Sequence, residues 1–147
     1  MTARAFLPNS LDDLPKEIPI FPLTGALLLP VGHLPLNIFE PRYLSMISDA
    51  LRTPQRLIGM IQATDLEVSM SDAPGHALGC AGRISAFSEN DDGTVMITLT
   101  GIIRFSIERE LDLATGGYRR VTPDFSSFAT DLIELNQAVE VCKNFFK

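Results

Sequence analysis

Three charged side chains stand inside apolar sequence and ask for a role. They are Glu40 and Arg42 in PLNIFEPRYL (residues 35–44) and Arg104 in GIIRF (residues 101–105). A carboxylate and a guanidinium can pair through two hydrogen bonds. One reading is an ion pair that locks a helix start to a long strand. The other is a polar rim for a bound peptide. Such a pair need not add net stability. Cys80 with His76 could serve as a nucleophile and base, but that spacing in a strand-and-loop context carries little information. A serine–lysine pair needs a buried lysine, and Lys16, Lys143 and Lys147 sit at the chain's two ends. The pairs Asp12-Asp13 and Asp91-Asp92 lie in turn-like sequence, where aspartate bonds to local backbone.

Other catalytic signatures are missing. There is no phosphate-cradling GxxxxGK[ST], no GxGxxG, no HExxH and no GxSxG. The cysteines, Cys80 and Cys142, and the histidines, His33 and His76, match no metal-ligand spacing. The residues therefore point to no catalytic set, no cofactor and no metal. Net charge is -6, with acidic and basic residues mixed along the chain. An acidic surface repels phosphate backbones, which argues against nucleic acid. Two reduced thiols and no signal peptide read as a cytoplasmic protein.

These residues need elements to position them. Residues 18–39 carry no Asp, Glu, Lys or Arg and are long enough to span a bilayer. Yet Pro19, Pro22, Pro30 and Pro35, with Gly25 and Gly32, interrupt them, which a helix in lipid tolerates poorly. The reading is short strands joined by turns, with no membrane span: 18–23, an extended piece at ALLLP (26–30), and 34–40. Pro41 suits a first helical turn. Tyr43, Leu44, Ile47, Ala50 and Leu51 then form one helical face.

Strands follow at 56–63 and 77–90, separated by a long polar loop at 64–76. Asp91-Asp92-Gly93 is a hairpin turn. Val95, Ile97, Leu99, Ile103, Phe105 and Ile107 alternate with mostly polar neighbours straight through Gly101. This predicts one long strand, kinked at that glycine. Gly116-Gly117 turns the chain into a last strand at 118–125. From Asp131, with Glu134 as a capping-box partner, Leu132, Leu135, Val139, Cys142 and Phe146 trace an amphipathic helix. Its apolar face is unfinished at Lys147. The reading is a truncated segment; the alternative is a face completed by another chain.

The stretch IPIFPLTGALLLPVGHLPLNIFEPRYLSMISDAL (18–51), with Gly79 before a strand, the Asp92-Gly93 turn, Gly101 to Phe105, and Tyr118 opening the last strand, resembles the N-terminal, substrate-binding domain of Lon proteases. The resemblance covers residues 17–125 and looks like the family's standalone branch. It implies a PUA-like fold, mainly β with α. That means small, closed or nearly closed β-barrel-like sheets with one packed helix, followed by the start of a C-terminal helical segment. Residues 1–16 would be a flexible lead-in, 17–125 the β domain and 126–147 the helical start. The motif residues Pro22, Leu23, Pro35, Phe39, Glu40, Pro41, Arg42, Tyr43, Gly101, Arg104 and Phe105 would be mainly structural.

The family's ATPase and protease domains are not present in these residues, so the resemblance implies no enzyme. It implies a protein-interaction module for peptides or unfolded segments. Phe21, Leu23, Leu28 and Leu29 are candidates for such a patch, or else core. The alternative is an RNA-associated module, since PUA-like folds include RNA binders; it would need Arg42, Arg52, Arg56, Arg119 and Arg120 to form one basic face.

Overall fold

The computed structural model describes residues 8, 10–25, 27–62 and 78–145, the last four through their backbone alone. The long loop expected at 64–76 lies outside the described residues, as do the side chains of Cys142 and Phe146. Six strands form one sheet: β1 Ile18–Leu23, β2 His33–Ile38, β3 Leu57–Gln62, β4 Leu78–Glu89, β5 Val95–Glu110 and β6 Arg120–Asp124. Helix α1 spans Pro41–Leu51 and α2 spans Ala129–Phe145.

The strand order is β2-β5-β4-β3-β1-β6, and a further β5–β6 pairing brings the sheet's end back to its middle. The pairing is antiparallel except for β1 beside β3. The mainly β, nearly closed architecture expected from the resemblance is what forms. Strand β5 organises it. One of its edges follows β4. Its other edge takes β2 along residues 95–100 and β6 along residues 106–110.

The unbroken odd-numbered pattern of β5 conceals a change of side. Ile84 of β4 faces Leu99, and Ala81 faces Ile103, with a register shift between Ala81 and Gly82. Ile102 is the extra residue of this bulge, and it too is buried. One inserted residue moves every later side chain to the opposite face. Ile97 and Leu99 accordingly join the cluster under α1, whereas Ile103, Phe105 and Ile107 join the cluster under α2. Gly101 sits at the switch because there is no room for a side chain. A Cβ there would lie 2.0 Å from the Leu29 carbonyl oxygen. The Gly101 amide donates to the Gly32 carbonyl (2.8 Å), and its carbonyl accepts from Val31 N–H (2.9 Å).

This stitching explains one departure from expectation. Residues 27–30 do not form a second strand; a turn closed by Gly32 N–H to the Leu29 carbonyl (2.9 Å) lays them across β5. A second departure concerns the lead-in. Residues 11–13 make a 3₁₀ turn, and Leu14 is buried in the cluster under α2 with Leu11 packed against it, so these two leucines anchor the end of the lead-in. Strand β2 is an outer strand, whereas β1 pairs with β6 at Ile18 and Pro19 and with β3 from Ile20 to Leu23.

Helix α1 begins as expected. Glu40 is its extended N-cap residue and Pro41 its first helical residue. Tyr43, Met46, Ile47 and Ala50 are buried. In α2, Leu132 and Leu135 enter the core, and Val139 is half-buried. That helix begins at Ala129, so Asp131 lies inside its first turn rather than at its cap.

Candidate functional site

The two halves of the family-like motif fold onto one place. The end of β1 contributes Phe21, Pro22 and Leu23. The end of β2 contributes Leu36, Asn37 and Ile38. The strand-to-helix corner contributes Phe39, Glu40, Arg42 and Tyr43. Together they line a groove of about 240 Å³. Its floor is the Phe21 ring stacked on Tyr43, with centroids 4.2 Å apart and planes 11° from parallel. The Arg42 guanidinium lies 4.8 Å from the centre of the Tyr43 ring, a cation–π contact. Burial is the main cause that raises the Tyr43 pKa, so the phenol stays neutral.

At the rim, Arg42 Nε donates to Glu40 Oε2 at 3.1 Å. Both side chains are about half exposed, so this pair adds less than ~1 kcal/mol. Its effect is to set paired charges beside an apolar slot. Phe39 stands at the same corner with 64% of its surface exposed. A large aromatic ring left in water beside an apolar groove is a contact surface available to a partner. Strand β2 adds an outer edge, since its ladder is occupied on the β5 side.

The expected ion pair between the helix start and the long strand does not form. Glu40 takes its neighbour Arg42, and Arg104 takes Asp131 instead. Arg104 N–H and Nε both donate to Asp131 Oδ2 at 3.0 Å, and Nη2 donates to Oδ1 at 2.8 Å. The physical reason is position. Arg104 lies on β5 between the ends of the β2 and β6 ladders, where its backbone amide needs an acceptor from outside the sheet. Asp131, nearly fully buried in α2, supplies it. The Arg104 guanidinium also lies 5.0 Å from the centre of the Phe128 ring. Sequence reasoning missed Asp131 because it read the residue as a cap.

Other motif residues serve the core. The Phe105 ring is fully buried over Gly59 and Gly79, where an added Cβ would meet it at 2.7 Å. Pro35 lies in the outer strand β2, opposite Thr98. The four residues proposed for a partner patch divide between two places. Phe21 and Leu28 are buried; Phe21 and Leu23 line the motif groove. Leu28 and Leu29 line a second groove of about 190 Å³ with Leu27, Leu78 and Arg104. There Leu27, Leu29 and Leu78 are each more than half exposed.

Four of the five arginines that an RNA-binding role would gather into one basic face are paired with carboxylates, Arg56 being the exception among the described residues. Arg42, Arg52, Arg119 and Arg120 are tied to Glu40, Asp49, Glu110 and Glu17 respectively. The nucleophile idea fails at Cys80, whose thiol burial pushes up to about 12; His76 is outside the described residues. Among the described residues no group of three or more metal-binding side chains converges, and no helix is long and apolar enough to cross a membrane.

The family model for the ATP-dependent protease La (LON) substrate-binding domain matches residues 17–145. The chain is similar to Lon protease 1 of Syntrophotalea carbinolica, at 26% identity over 121 residues, covering 82% of this chain and 14% of that protein. It is similar to the Lon protease of Flavobacterium johnsoniae, at 29% identity over 98 residues, covering 66% and 12%. The chain thus spans 14% or less of these curated relatives. Among solved structures, it is similar to the Lon N-terminal domain protein from Xanthomonas campestris (TM-score 0.58, 28% identity, 74% of this chain and 59% of that one). The N-terminal domain of Mycobacterium avium complex Lon protease shares the fold (TM-score 0.58, 15% identity, 75% and 54%).

Proposed function

Because the chain belongs to the family of ATP-dependent protease La (LON) substrate-binding domains, we propose that it is a non-catalytic protein-interaction module that binds peptides or unfolded segments. The observation that supports this reading is the groove built from both halves of the motif, with Phe39 exposed beside it. An apolar or aromatic side chain of an extended segment fits such a slot. The outer edge of β2 offers backbone groups for strand addition, and the Glu40–Arg42 pair supplies polar contacts at the rim.

The matched region is a substrate-binding domain, and the groove contains no activated nucleophile or base. This chain matches 14% or less of the length of its full-length relatives. The proposed role here is capture alone.

Fluorescence anisotropy with a labelled, permanently unfolded polypeptide tests this reading. Wild-type protein is expected to bind it, and Phe39→Ala to bind at least about tenfold more weakly, the loss expected of an aromatic anchor worth ~1.4 kcal/mol or more. The urea midpoint should stay unchanged, because Phe39 is mostly exposed. Equal affinity in the two proteins, or no binding by either, would remove the groove from consideration.

A further inference from the structure

At the far end of α1 from the motif groove, about 16 Å along the helix axis, the turn into β3 carries a strained residue. Arg56 has φ of 53°, a conformation that side-chain-bearing residues avoid. It is held there from both sides. Its N–H donates to Thr53 Oγ1 at 3.0 Å. Its carbonyl accepts from Ile84 N–H at 3.0 Å. Backbone held against its preference is common where a side chain must be aimed.

This fixing sets Arg56 beside Arg83. The two residues line one cavity of about 110 Å³, together with Leu51, Ser85 and Phe87. Ser85 is the extra residue of a second bulge, at the register shift between Ile84 and Ala86. No acidic residue lines the cavity. Among the described residues, no carboxylate pairs with either arginine. Arg83 Nε is shut off from solvent and finds no acceptor among them. Burial first, and the Arg56 charge second, pull the Arg83 pKa below the ordinary arginine value.

We infer that Arg56 and Arg83 form a binding site for a small, doubly charged oxyanion, namely phosphate, free or esterified. A strained backbone, two adjacent like charges and an unpaired buried donor each destabilise the folded chain. A phosphate relieves the second, because guanidinium forks present N–H groups that match phosphate oxygens. Two guanidinium charges balance a phosphate dianion. A cavity of this size holds a group of a few atoms. A polynucleotide is not favoured, since Arg52, Arg119 and Arg120 are already tied to carboxylates. This site stands independently of the groove proposed for peptides.

The test is the thermal midpoint of the full chain in inorganic phosphate, against sodium chloride at matched ionic strength. Wild-type protein is expected to show a saturable rise. Arg56→Gly and Arg83→Met should lose it. Arg56→Gly should be at least as stable as wild type in chloride, because glycine adopts φ of 53° freely and one of the two like charges is gone. Its lost response therefore cannot be misfolding. Methyl phosphate as a second arm separates the sources: a rise with both anions shows that an esterified group is accepted, and a rise with inorganic phosphate alone assigns the free ion. The inference is overturned by no saturable rise, by an equal rise in acetate, or by an unchanged rise in both variants. Tighter binding of a single-stranded oligonucleotide through the same arginines would also overturn it.

Discussion

A carboxylate with 2% of its side chain exposed holds its charge only through close partners, and Asp131 finds three donors in a single residue. Arg104→Met leaves that carboxylate buried with one backbone donor. The expected loss is about 2–3 kcal/mol, below the full penalty for a wholly buried pair because the guanidinium is half exposed. The double variant Arg104→Met/Asp131→Leu should recover most of it, since no unpaired charge remains. Urea titrations of the three proteins check both outcomes.

The same contact sets a pH dependence. The Arg104 hydrogen bonds, chiefly, hold the Asp131 carboxyl below its ordinary value of 3.8. The folded state therefore binds that proton less tightly than the unfolded chain does. Its stabilisation is fully present above the unfolded value and is lost as pH falls below about 4 toward the lower folded value. Stability measured from pH 7 to pH 2 in wild type and Asp131→Asn should show a gap that narrows only below about pH 4. A gap constant with pH would contradict it. Much at this scale was legible: Glu40, Arg42 and Arg104 stood out because each is charged within apolar sequence. Their partners were not. Arg104 and Asp131 meet across 27 positions, and nothing in spacing encodes a contact between a strand edge and a helix.

At the scale of elements, β5 shows why pattern alone misled. Alternation in the sequence continued through Gly101, yet the buried faces on either side of it belong to different clusters. The inserted Ile102 is the one apolar residue among the even positions from 98 to 108, a single exception that the alternation around it masked. Strands β1–β6, the hairpin turn and α1 were readable because period, proline and glycine agreed there. Residues 26–30 were read as an extended piece because leucines fit one; the turn against Gly101 depends on a contact made far along the chain. Gly101→Ala would drive a methyl group into the Leu29 and Pro30 backbone, which cannot yield as a flexible side chain would. The expected loss is about 3 kcal/mol or more, read as a lower urea midpoint. A change below about 0.5 kcal/mol would show that the 27–32 segment is not seated on β5.

For the whole molecule, the long strand and two clusters hold the outer strand β2 and the corner at Phe39 in fixed relation to the end of β1. That relation makes a groove out of residues lying in two separate stretches of sequence. The family resemblance was legible from those stretches, and so was their joint importance; that they line one cavity required the parallel β1–β3 pairing, which no local signal announces. The most direct measurement is amide chemical-shift mapping of the labelled chain during titration with a reduced and alkylated, permanently unfolded polypeptide. Capture by the groove predicts saturable shifts clustered at Phe21–Leu23 and Leu36–Tyr43, lost in Phe39→Ala. Shifts that spare both segments, or none at saturating polypeptide, would contradict it.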